Sequence, residues 1–168
     1  ELKLDKELKL VKKKTKDGLS EEAKKILGGK TLATSPHIKE PSKEELNSLI
    51  NLYNQKKLKQ VYSEAQILTK RYTKNLALWN LMGASAAQLG KLNEAVLAFK
   101  KALSIKPDDA QAHYNLGNVI KNQGKLEEAM ETYKKALSIK PDYAEAYLNM
   151  GNVFNVQEKF EEAIEAYN

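Results

Sequence analysis

The residues best suited to chemistry in this chain are carboxamides. Asn115, Asn118 and Asn122 fall within YNLGNVIKNQGK, and Asn149, Asn152 and Asn155 within YLNMGNVFN, in segments whose apolar spacing is helical. Asparagine is a poor helix residue, since its short amide competes for nearby backbone groups at up to roughly 0.7 kcal/mol relative to alanine. What an amide offers in return is a donor paired with an acceptor. That is the complement of an extended peptide backbone, and it is indifferent to side-chain identity. Repeated along a surface, such amides hold a chain rather than react with it.

The other reactive residue types assemble no catalytic set. Cysteine is absent, which excludes disulfides and thiolate metal sites. His37 and His113 are far apart in sequence, so no metal site is expected. No glycine-rich phosphate loop follows a strand. The paired carboxylates Glu127-Glu128 and Glu161-Glu162 stand at predicted helix starts, where they suit the helix dipole. His37 reads as a polar loop residue. His113 occupies the bulky position held by Trp79 and Tyr147 elsewhere, which predicts a packed ring rather than a ligand. The chain is expected to be no enzyme and to need no cofactor.

Charge divides the chain. Residues 1–74 carry 18 Lys+Arg against 10 Asp+Glu, a balance of +8, while residues 75–168 balance at −2. Lys12, Lys13, Lys14 and Lys16 form the densest basic run, a pattern able to contact nucleic acid or anionic lipid. Asp5, Glu7, Asp17, Glu21 and Glu22 dilute it, so a solvated helix face is the preferred reading and nucleic acid an unlikely partner. No apolar run reaches the roughly 18 residues of a membrane span, and ELKLDKELKLVKKK lacks a signal-peptide core. The expected compartment is the cytoplasm, with an upstream targeting segment left open.

The elements that must position the amides repeat. LSIKPDDAQAHYNLGN and LSIKPDYAEAYLNMGN match almost letter for letter, and Gly83, Gly117 and Gly151 succeed one another at 34 residues. Each unit contains two amphipathic segments of helical period. In the second, Leu126, Ala129, Met130, Tyr133, Ala136 and Leu137 form one stripe. A first helix is predicted over roughly 110–123, with His113, Leu116, Gly117 and Ile120 on its packing side. Gly124-Lys125 reads as the turn between them, and Lys-Pro-Asp as a break followed by a cap. Small residues (Gly83, Gly117, Gly151, Ala95, Ala129, Ala163) mark the helix seam, with Trp79, Phe99, Tyr133 and Tyr167 filling the space beside it. A lone pair cannot bury both faces, so an all-α stack of pairs is predicted.

The recurrence of Trp79, Gly83, Ala95, Phe99, Ala102 and Pro107 as Gly117, Ala129, Tyr133, Ala136 and Pro141, and as Tyr147, Gly151, Ala163 and Tyr167, resembles the tetratricopeptide repeat. That resemblance covers about 75–168 and implies a right-handed superhelix whose first helices line a concave groove. The units are then 76–109, 110–143 and a truncated 144–168. A degenerate unit over 42–75 places Leu49 at the glycine, Val61 and Ala65 in the second helix and Thr73 at the proline. Helices are predicted there over roughly 44–55 and 58–71. Residues 1–41 are expected to hold a basic, weakly repeat-like helical pair over about 4–28 and a linker marked by Gly28, Gly29, Pro36 and Pro41.

On a helical wheel advancing about 100° per residue, Asn118 and Asn122 fall within about 60° of Asn115, whereas Leu116 and Gly117 lie about 100° and 200° away. The amides are therefore expected to face away from the seam. Asn149 and Asn152 repeat the first two positions, Gln111 and Glu145 share the face one turn earlier, and Lys121 and Asn155 flank it. The repeats are most similar to those of the O-linked N-acetylglucosamine transferase and SPINDLY group. That similarity implies a backbone-binding role for Asn115 and Asn149, interrupted at Leu81 in the preceding unit. The expected function is a scaffold binding a protein segment in its groove. A substrate-recruiting region of a glycosyltransferase-type enzyme and a self-assembly module are the alternatives. Self-assembly would use an apolar edge of Phe160, Ala163, Ile164 and Tyr167 on a final helix that stops before a cap, as in a fragment of a longer array.

Overall fold

The computed structural model describes residues 40–167. The helical pair expected over 4–28, His37 and the basic run at Lys12–Lys16 lie outside the described residues. Among those described, eight helices follow one another without strands: α1 Lys43–Asn54, α2 Leu58–Arg71, α3 Leu76–Gln88, α4 Leu92–Ile105, α5 Ala110–Asn122, α6 Leu126–Ile139, α7 Ala144–Val156 and α8 Phe160–Tyr167.

Local signals set the starts. Ser42 and Glu45 form a reciprocal capping box at α1, and the Ser42 N–H holds the Glu45 carboxyl below the usual carboxylate range. Asn75 caps α3 and Asp109 caps α5. The capping aspartate is thus the second after Pro107, not the first. At α7 the equivalent position is Tyr143, which makes no side-chain cap and buries its ring against Tyr114 instead, 4.9 Å between centroids.

One turn serves all four pairs. Lys56, Gly90, Gly124 and Glu158 each take a positive φ between 59° and 78°, one period apart. The following N–H returns five residues, from Lys57 to Leu52 O, Lys91 to Ala86 O, Lys125 to Ile120 O and Lys159 to Phe154 O, closing Schellman turns. The left-handed residue is glycine in the two middle turns and an L-residue in the outer two, so the period continues structurally where the residue types diverge.

The seam is a volume exchange. A Cβ placed on Gly83 would stand 2.9 Å from the Phe99 ring, and one on Gly117 2.6 Å from the Tyr133 ring. Gly151 abuts Tyr167 in the same way. In the α1–α2 pair the order inverts: Leu49 and Ala65, both fully buried, stand at the glycine and aromatic positions. The large side chain has moved to the first helix and the small one to the second, and the core stays filled. Around these seams runs a cluster including Ala95, Phe99, Ile120, Ala129, Tyr133 and Val153, with a second formed by Leu49, Val61, Ala65, Tyr72 and Leu78.

Each first helix touches the next (α1 with α3, α3 with α5, α5 with α7), whereas no second helix touches another second helix among those described. Successive pairs therefore close on the side of α1, α3, α5 and α7, which places those helices on the inside of the superhelical curve. At the far end Phe160, Ile164 and Tyr167 are 55%, 62% and 47% exposed. Ala163, expected on that edge, is buried instead, because its small side chain lies in the α7–α8 seam.

Candidate functional site

The candidate site is the inner face of α5 and α7, built from the residue positions that the period aligns. Asn115 is half-buried on α5, and its Oδ1 accepts from Gln111 Nε2 at 3.1 Å. Its Nδ2 makes no hydrogen bond to a described residue, so a donor remains open. Asn149, one period on, has both Nδ2 hydrogens engaged and one of the two Oδ1 lone pairs. Its Oδ1 accepts from Lys121 Nζ at 2.7 Å, and its Nδ2 donates to the Tyr114 hydroxyl at 3.0 Å and to Glu145 O at 3.1 Å. A polar bridge thus links α5 to α7. Burial pulls the Lys121 ammonium below its ordinary value.

Asn118 and Asn152 have a different local partner. Tyr133 Oη donates to Asn118 Oδ1 at 2.7 Å and Tyr167 Oη to Asn152 Oδ1 at 2.9 Å. These amides lie nearer the seam than the wheel placed them, because a tyrosine crossing over a glycine carries its hydroxyl out to the edge of the first helix. In the unit before, Ala84 and Phe99 replace the pair, so acceptor and donor are lost together. Tyr133→Phe alone is expected to lower stability by about 1 kcal/mol, leaving the Asn118 oxygen without its donor. Tyr133→Phe with Asn118→Ala should recover most of that in urea unfolding; an additive double variant would contradict the pairing.

The remaining predicted residues divide simply. Asn122, Asn152, Asn155, Gln111 and Glu145 are exposed, and the Asn122 and Asn155 amides have no partner among the described residues. His113 is half-buried, and its Nε2 lies 2.9 Å from Pro107 O; since a carbonyl only accepts, Nε2 carries the proton. Trp79 Nε1 makes the corresponding bond to Thr73 O at 2.8 Å, so His113 replaces the indole in kind. Sequence reasoning missed Tyr114, whose ring packs on Tyr133 and Tyr143 while its hydroxyl serves Asn149. Its signal in the sequence was a polar side chain at the same position one period earlier, Asn80; in the structure the Asn80 Oδ1 is buried and has no partner among the described residues. Burial, with Glu145 and Tyr114 nearby, pushes the Tyr143 phenol up to about 12; burial, with Tyr114 nearby, raises Tyr133 also. Among the described residues no group of His, Asp or Glu is placed to hold a metal ion, and no helix is long and apolar enough to cross a membrane.

A second concavity of about 710 Å³ opens between α7 and α8, lined by Ala144, Tyr147, Leu148 and Tyr167 with Glu145 and Glu165. Ala144 and Leu148 stand one period after Ala110 and Tyr114, the residues on which Tyr143 and Ala146 of α7 pack.

Comparison with known proteins agrees with this geometry. A family model described as TPR repeat matches residues 83–124 and 118–157, so tetratricopeptide repeats occupy this part of the chain. The structure of MamA superposes with a TM-score of 0.72 at 20% identity, covering 80% of this chain and 77% of that one. A MamA fragment from Desulfovibrio magneticus gives 0.70 at 19%, covering 73% and 70%. At these identities the likeness speaks to the fold, an all-α solenoid of stacked helix pairs. In sequence, 40 residues are 52% identical to the peroxisomal targeting signal receptor of Candida albicans, which is 24% of this chain and 7% of that receptor.

Proposed function

We propose that the chain is a non-catalytic protein–protein interaction scaffold whose inner face holds an extended peptide segment, with Asn115 and Asn149 addressing its backbone. The observation that carries this reading is the open Nδ2 donor of Asn115 on a helix that directly adjoins α7, so that two carboxamides one period apart share a surface. Such a pair can satisfy successive peptide groups without reading side chains. The relative whose name describes a receptor for a targeting signal favours a protein or peptide ligand. The similarity of the amide positions to the O-linked N-acetylglucosamine transferase and SPINDLY repeats favours the backbone-binding role. The same resemblance makes recruitment of substrates to an enzyme domain the natural extension.

Dodecapeptides selected from a random library on the parent chain provide the test. Asn115→Ala with Asn149→Ala removes two hydrogen-bonding groups at about 1 kcal/mol each, an expected loss of more than tenfold in affinity at unchanged helicity. Equal affinity in the double variant would contradict the reading. A second reading, self-assembly through the α7–α8 end, draws on the exposed Phe160, Ile164 and Tyr167 beside the apolar concavity. Light scattering across concentration separates the two.

A further inference from the structure

We infer that the outer face of the second helices is a separate binding surface, one that docks on an anionic lipid bilayer with Ile67 and Leu97 entering the boundary between headgroups and acyl chains. The seam fixes which side of each second helix points outward. On α4 the buried residues Ala95, Ala98, Phe99 and Ala102 share one side, which leaves Leu97, Lys100 and Lys101 exposed on the other. One period earlier α2 presents Ile67 and Lys70 on the same stripe, and one period later α6 presents Lys134 and Lys135. The groove face of α5 and α7 stays clear of this stripe, so a ligand and a membrane do not compete for one surface.

Charge gathers on the C-terminal halves of these helices and the loops after them. Residues 66–74, 100–108 and 134–142 together carry nine Lys+Arg against two Asp, a balance of +7, although residues 75–168 as a whole balance at −2. The carboxylates Glu94, Glu127 and Glu128 stand at the opposite ends, in the first turns of α4 and α6. The last turns of α4 and α6 hold no basic residue, so Lys100, Lys101, Lys134 and Lys135 are not placed to offset the helix dipole. Among the described residues Lys134 pairs with Glu131, and the other three make no ion pair. A merely solvated face would have no use for Ile67 and Leu97, which are 68% and 65% exposed beside these lysines. Exposed aliphatic side chains flanked by ammonium groups match a charged bilayer surface, where the chains bury and the cations meet headgroup phosphates and carboxylates. The stripe exposes no aromatic ring on which a base could stack, which favours lipid over nucleic acid.

The test is co-sedimentation of the full 168-residue chain with vesicles of phosphatidylcholine, either alone or containing about 30% phosphatidylserine. Binding is expected to the anionic vesicles and not to the neutral ones, and it should weaken as salt rises. Combining Lys100→Gln, Lys101→Gln, Lys134→Gln and Lys135→Gln should lower partitioning more than about tenfold. Ile67→Ser with Leu97→Ser should lower it by about tenfold while leaving every charge in place. Lys12→Gln, Lys13→Gln and Lys14→Gln together should retain most of the binding, which separates the outer face from the other basic run. All the outer-face positions substituted are exposed, so circular dichroism and melting should match the parent chain. Absence of binding to anionic vesicles overturns the inference, as does a larger loss from the change at Lys12, Lys13 and Lys14 than from that at the outer lysines. Full binding by the Ile67→Ser, Leu97→Ser variant overturns the lipid assignment, and so does binding to a duplex oligonucleotide without binding to vesicles. None of these outcomes bears on the groove reading, which peptide binding tests separately.

Discussion

Tyr133→Ala is expected to destabilise the array by about 4 kcal/mol, the scale for truncating a fully buried aromatic side chain. The ring fills the space over Gly117, packs on Tyr114 at 6.2 Å between centroids, and anchors Asn118 through its hydroxyl. Removing it opens a cavity in the α5–α6 seam that neighbouring backbone cannot fill, because the turn at Gly124 fixes how the two helices meet. In a stack of repeats each unit depends on its nearest neighbours, so the loss should separate the α7–α8 end from the remainder in denaturant unfolding. A single transition shifted by under about 1 kcal/mol would show that the ring is not the seam's filler.

Gly117→Leu is the converse substitution. Leucine gains about 1 kcal/mol of helix propensity over glycine, yet its Cβ would already lie 2.6 Å from the Tyr133 ring, and overpacking of this kind loses about 3 kcal/mol. A net loss of about 2 kcal/mol is expected in urea unfolding. The two substitutions should compensate when combined, since Gly117→Leu with Tyr133→Ala reproduces the Leu49 and Ala65 arrangement of the α1–α2 pair. The double variant is expected to be more stable than Tyr133→Ala alone, with a favourable coupling of about 3 kcal/mol, the overpacking loss that vanishes with the ring. Strict additivity would mean that the two positions do not share one volume.

That inverted pair also marks where sequence reading reached its limit. The 34-residue spacing of Gly83, Gly117 and Gly151 was enough to predict paired helices, their turns and their stacking, because each of those positions has one steric requirement. The α1–α2 pair looked degenerate because residue identity was lost at Leu49 and Ala65, whereas the conserved quantity was their combined volume. The positive φ at Lys56 and Glu158 was similarly hidden, as neither residue type advertises it. Asp109 rather than Asp108 caps α5, a difference of one residue that composition around Pro107 could not resolve.

At the candidate site the amides were readable as a repeated pattern, but their partners were not. The wheel gives directions from one helix axis and takes no account of how far a neighbour reaches. Tyr133 and Tyr167 therefore claimed Asn118 and Asn152 unannounced, although the joint replacement by Phe99 and Ala84 was the available clue. Lys121 and Asn149 are 28 residues apart and meet only through stacking. No local pattern connects them.

The most direct test of the central claim, that the inner face of the first helices is the binding surface, is amide chemical-shift mapping on the isotopically labelled chain titrated with a library-selected dodecapeptide. Shifts concentrated between Gln111 and Asn122 on α5 and between Glu145 and Asn155 on α7 are the predicted result. Shifts confined to the outward helices α4 and α6, with α5 and α7 unmoved, would contradict it.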